Sequence, residues 1–126
     1  MKQDRFSIKK RIKSFSYAFA GLKVLFKEEH NARIHAVATL LVVAAGIFFR
    51  ITDGEWIAVV LCIGMVISVE AVNSSIERCT DFVKQERDDR KRDIKDLGAA
   101  AVLVCAIASA VVGCIIFIPY LIQWLR

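Results

Sequence analysis

From Leu97 to Leu125 the chain runs for 29 residues without a charged side chain. A helix of that length exceeds the ~30 Å hydrocarbon core of a bilayer and can cross it with tilt. Two further runs behave alike. Trp56–Val69 is free of charge, and its leading indole suits a membrane–water interface. Ala36–Phe49 is also charge-free but reaches only ~21 Å, so it must borrow Ile34 and His35, or Ile51 and Thr52, to span. Three runs of this length restrict the chain to an all-α integral membrane protein with spans at 32–50, 55–82 and 97–125.

The rest of the composition agrees. The 126 residues are 56% hydrophobic, with one proline and six glycines, so long helices meet few interruptions. The apolar runs are rich in Ala, Leu and Val and lack the period-2 alternation and hairpin turns of strands. One membrane domain covering 1–126 is expected. The segment Arg50–Glu55 reads as a short turn with Asp53-Gly54 as its breaker. The four cysteines, Cys62, Cys79, Cys105 and Cys114, have no CxxC spacing and read as small buried hydrophobes.

Charge is unevenly placed. Residues 1–27 carry Lys2, Arg5, Lys9, Lys10, Arg11, Lys13, Lys23 and Lys27 against the single acid Asp4. Within 5–28, Phe6, Ile8, Ile12, Phe15, Phe19, Leu22 and Phe26 recur at helical spacing between those bases. This pattern predicts an amphipathic helix lying on the membrane surface against anionic headgroups, bent near Gly21. Without an aromatic-basic RNA motif, nucleic acid is not an expected partner. In residues 82–96 eleven of fifteen side chains are charged, which reads as a solvated loop or helix end. Basic residues gather at the amino terminus and in this loop, whereas the 50–55 turn holds only Arg50. The amino terminus and the loop of this multi-pass protein therefore belong in the cytoplasm and the carboxyl terminus outside.

Against that apolar background four polar residues share a stripe. Glu70, Asn73, Glu77 and Asp81 follow at steps of three and four, within roughly 80° of one another on a helix. An ionisable group at the membrane boundary costs at least ~2.5 kcal/mol and normally faces a protein interior or an aqueous cavity. Three carboxylates and an amide on one face suggest a metal-assisted site. Glu28-Glu29 before the first span and Lys95-Asp96 before the third open to the same side. Mg²⁺ takes hard oxygen ligands, often one or two carboxylates together with substrate phosphates, and phosphoryl transfer needs a nearby cation and a base. Glu70, the deepest carboxylate, suits the base, and Lys95 suits the cation.

The string Glu70-Ala-Val-Asn-Ser-Ser-Ile-Glu77, then Asp81, then Lys95-Asp96-Leu-Gly98-Ala-Ala-Ala-Val, resembles the prokaryotic diacylglycerol kinase/undecaprenol kinase family. Gly21-Leu22 followed by Glu29-x-x-x-Arg33 adds to the likeness, which runs from about Lys10 to Ile116. The resemblance implies a homotrimer of small subunits, each with an amino-terminal surface helix and three spans, that uses MgATP to phosphorylate a lipid hydroxyl at the cytoplasmic leaflet. It implies Glu70 as catalytic base, Asn73 as the amide holding the reacting groups, and Glu29 and Glu77 as metal ligands. Nucleotide contacts fall on Lys10, Tyr17, the loop Glu86-Arg87-Asp88, and Lys95-Asp96, with Asp81 one turn below the metal. Lys10 stands where an arginine is familiar, and Ala99 where some members have serine. The segment Asn31-Ala-Arg-Ile-His35 is more similar to the undecaprenol kinase type, which leans the substrate toward undecaprenol over diacylglycerol.

Blander readings stand beside these. Glu29 with Arg33 makes an i,i+4 pair without metal. His35 reads as a structural hydrogen-bonding residue, Ser74 and Ser75 as small packing residues, and Arg78 as an interface anchor. A different class also fits the stripe: a non-catalytic oligomer conducting protons or cations along Glu70, Glu77 and Asp81. Such a conduit has no use for Lys95-Asp96 or for an acid at position 29.

Overall fold

The computed structural model describes residues 6–126, and the described residues form four helices. Arg5, at the start of the expected surface helix, and Lys2 and Asp4 before it lie outside the described residues. α1 (Ile8–Glu28) begins where the Ser7 hydroxyl accepts the Lys10 N–H, and it runs through Gly21 without interruption. α2 (His30–Phe49) follows after one extended residue, Glu29, which terminates α1 and caps α2. Leu25 and Ala32 are buried on either side of this elbow. Arg33, expected to pair with Glu29, reaches back instead and donates to the Phe26 and Lys27 carbonyls that the end of α1 leaves open.

α2 ends at Arg50 in the left-handed region (φ 52°), and the following Ile51 N–H closes on the Gly46 carbonyl at 3.2 Å. Glycine usually takes such a position because a side chain there is strained. The next helix, α3 (Asp53–Val83), starts earlier than the Asp53-Gly54 pair led one to expect. Thr52 supplies the reason: its hydroxyl accepts the Glu55 N–H while the Glu55 carboxylate accepts the Thr52 N–H at 2.9 Å. The two orphan donors are satisfied, so Asp53 and Gly54 join the first turn.

α4 (Asp89–Leu125) likewise begins eight residues before the apolar run, inside the charged segment. Asp88 caps it, accepting the Arg90 N–H at 2.8 Å, and ion pairs along its first turns make the charged stretch helical. At 1.5 Å per residue, α3 and α4 measure about 46 and 55 Å. Three of the helices, α2, α3 and α4, are long and apolar enough to cross a membrane.

α3 and α4 pack antiparallel along their length, and α2 leans on both. One end of this bundle is apolar, built on Ile51, Val59 and Ile116 with Trp56, Phe49 and Phe117 around them. Trp56 lies over Gly46 so closely that a Cβ there would stand 2.6 Å from its ring. Phe49 stacks on Tyr120 at 5.9 Å, and the Tyr120 hydroxyl donates to Glu55. Among the described residues the buried hydrophobics are few, while Leu40, Leu61, Ile107 and Ile115 are exposed. Cys79 and Cys114, expected to be buried, also lie on the exposed surface. Outward apolar side chains suit a protein whose solvent is lipid. The opposite end of the bundle carries the polar stripe.

Candidate functional site

The site sits where the α1–α2 elbow meets the second half of α3. Because Glu29 is extended, between two helices, its carboxylate reaches α3, where the Ser74 hydroxyl donates to Oε1 at 2.9 Å. One turn along α3, Arg78 donates to Glu28 Oε2 at 2.6 Å and lies 3.5 Å from Glu29 Oε1. A guanidinium thus bridges the two adjacent acids of the elbow. Ser74 and Arg78 are functional neighbours that the sequence pattern undervalued. Their positions four residues after Glu70 and Ser74, on the same side as the stripe, were the available signal.

Glu70 is 4% exposed, the most deeply placed acid of the chain's described part. His35 of α2 approaches it, Nε2 lying 3.0 Å from Oε1. That approach is close enough for an ion pair but off the line of a hydrogen bond, so Oε1 remains buried without a hydrogen-bond partner. Glu29 and Glu77 both lie within electrostatic range of the Glu70 carboxylate.

Asn73 and Glu77 face the same region. The Asn73 amide nitrogen donates to Glu77 Oε1 at 3.4 Å, and its Oδ1 is buried without a partner. That oxygen nestles against Gly98 of α4, where an added Cβ would collide with it. Only glycine lets α4 come this near.

A turn further, Asp81 receives Lys91 at 3.0 Å and Lys95 at 2.7 Å, so Lys95 is tied across from α4 to the foot of the stripe. Beside it, Arg87, Asp88, Lys95 and Asp96 line an open groove of about 830 Å³ along the first turns of α4. Glu86 is exposed in the preceding loop. The Arg90 backbone N–H, then its side chain and Lys84, hold the Asp88 carboxyl below the usual aspartate range.

One chain therefore sets Glu70, Asn73 and Glu77 along two turns of α3, with Glu29 within electrostatic range of Glu70 and with Lys95 and the groove beyond Glu77. Lys10 and Tyr17 stand away from the elbow acids. Both lie on α1, about 27 and 17 Å up that helix from its Glu28 end, too far to touch what Glu29 touches in the same chain.

The sequence matches the family model for prokaryotic diacylglycerol kinase over residues 16–117. It is 32% identical to the undecaprenol kinase of Bacillus subtilis over 95% of this chain and 98% of that one. It is also 30% identical to the diacylglycerol kinase of Escherichia coli K12, over 83% and 86% of the two chains. These relatives leave the ion-conduit reading of the stripe without support. With its three membrane-length helices and this match across most of its length, the chain belongs to the prokaryotic diacylglycerol kinase family and is a membrane lipid kinase.

Proposed function

We propose that the protein transfers the γ-phosphoryl group of ATP to the hydroxyl of undecaprenol or diacylglycerol at the cytoplasmic leaflet of a bacterial inner membrane. The observation that carries this reading is the near-complete burial of the Glu70 carboxylate within electrostatic range of Glu29 and Glu77. A base needs such a place, shielded from bulk water and next to where the phosphates must lie.

In this reading Glu70 takes the proton of the lipid hydroxyl. The lipid oxygen bonds to the γ-phosphorus, the bond from that phosphorus to the β–γ bridging oxygen breaks, and ADP leaves with its electron pair. Asn73 holds the reacting groups, and Lys95 offsets the charge of the transferring group. The donors present fit Mg²⁺: among the described residues no three acidic, His or Cys side chains form a cage, but this ion is content with one or two carboxylates plus phosphates and water. Glu29 and Glu77 would hold it, and it would neutralise phosphate charge when bound.

Nucleotide contacts are assigned to Lys10, Tyr17, Glu86, Arg87, Asp88, Lys95 and Asp96. The distance of Lys10 and Tyr17 from their own chain's elbow supports a homotrimer in which neighbouring subunits complete each site. The whole chain is one domain: residues 5–28 on the cytoplasmic membrane surface, spans at 32–50, 55–82 and 97–125, and the amino terminus inside. The exposed Phe15 and Phe19 of α1 support its lying against lipid.

The substrate leans to undecaprenol, in line with the Bacillus subtilis relative. The test is transfer of label from γ-labelled ATP in mixed micelles to undecaprenol and to diacylglycerol, with and without Mg²⁺. Mg²⁺-dependent labelling, stronger on undecaprenol, is expected; no labelling of either lipid would overturn the reading.

A further inference from the structure

Glu70 is buried, and among the described residues His35 is the polar side chain of another helix that pairs with it. His35 stands on α2 with Nε2 3.0 Å from Glu70 Oε1, its own side chain 24% exposed against 5% for the acid. A buried carboxylate oxygen with no hydrogen bond is costly, and this one lacks only alignment, not a partner within reach. Catalytic hydrogen bonds are often misaligned in the ligand-free enzyme and tighten when substrate arrives. The backbone beneath the imidazole is held as well: Thr39 donates its hydroxyl to the His35 carbonyl at 2.7 Å. His35 also borders an apolar cavity of about 360 Å³ between α2, α3 and α4, whose lining includes Thr39, Cys62 and Val66.

We propose that His35 is a positioning residue for Glu70. It binds Oε1, fixes the plane of the carboxylate, and leaves the second oxygen to take the proton of the lipid hydroxyl. A base works through one oxygen at a time, so pinning the other removes a rotation that would misplace it. This rests on Glu70 being the base in the reading above.

The test is steady-state lipid kinase kinetics on His35→Leu, His35→Gln and His35→Asn, and on Glu70→Gln with and without His35→Leu. His35→Leu is expected to lower kcat on the order of tenfold to a hundredfold while the KM for MgATP holds. His35→Gln, whose amide nitrogen falls near the place of Nε2, should recover most of the rate, and the shorter His35→Asn should not. In the Glu70→Gln background the leucine change should cost nothing more, because two residues acting as one are not additive. Undiminished kcat in folded His35→Leu or His35→Asn, or losses that multiply in the double variant, would overturn the inference alone. Full activity in Glu70→Gln would instead remove the base assignment and this inference with it.

Discussion

Ser74 donates its hydroxyl to Glu29 Oε1 at 2.9 Å, joining the middle of α3 to the single extended residue between α1 and α2. The contact fixes where the elbow acid points. Ser74→Ala would leave Glu29 to Arg78 alone, which lies at 3.5 Å. A modest fall in thermal stability, about 1 kcal/mol, is expected together with a higher Mg²⁺ requirement for lipid phosphorylation. Melting in detergent and a metal titration of activity check the two halves separately.

Glu70→Gln keeps the shape of the side chain and removes its ability to accept a proton. Turnover should fall by at least ~100-fold, while the particle mass measured by light scattering and the KM for ATP stay close to those of the unaltered protein.

Gly98→Ala sets a methyl group against Asn73 Oδ1. The α3–α4 contact must then open, at roughly 1–3 kcal/mol, and the midpoint of thermal unfolding should drop. Gly64→Ala is the control, since a Cβ at Gly64 meets nothing within 4 Å. The two melting curves should differ clearly.

Asp81→Asn weakens the hold on Lys91 and Lys95 without emptying a core. Both pairs are open to water, so stability should barely change. The KM for ATP should rise, because Lys95 loses the partner that sets its place beside the groove. An unchanged KM in Asp81→Asn would separate Asp81 from nucleotide binding.

Asp88 lies outside the spans, and its carboxyl is held below the usual aspartate range chiefly by the Arg90 N–H. A depressed carboxyl stabilises the fold above the ordinary aspartate range, and that contribution is lost as pH falls through its lowered value. Acidification should therefore fray the first turn of α4, and Asp88→Ala should do so at neutral pH. Amide hydrogen exchange at Arg90 to Arg92 reads both.

The three spans were legible because a bilayer demands length without charge, and Leu97–Leu125 or Trp56–Val69 meets that demand within a single stretch of sequence. The stripe was legible for the same reason, since helical spacing alone places Glu70, Asn73 and Glu77 together. The true start of α4 was not, because alternating Asp and Arg look like solvated loop until Asp81 is known to lie opposite Lys91 and Lys95. Asp53-Gly54 misled as a breaker because the Thr52–Glu55 cap outweighs one glycine in the first turn. The pairs His35–Glu70, Ser74–Glu29 and Arg78–Glu28 join residues dozens of positions apart. No periodicity within one helix encodes them.

The missing side chain at Gly98 works as a notch for the Asn73 oxygen. If α4 were screwed forward or back by one step, Leu97 or Ala99 would come round to that oxygen, and each carries a carbon where only hydrogen fits. The two longest helices can thus tilt together, but they cannot creep past one another. Lys95, one turn along from the notch, is kept at a constant height above the acids however the surrounding lipid swells or thins.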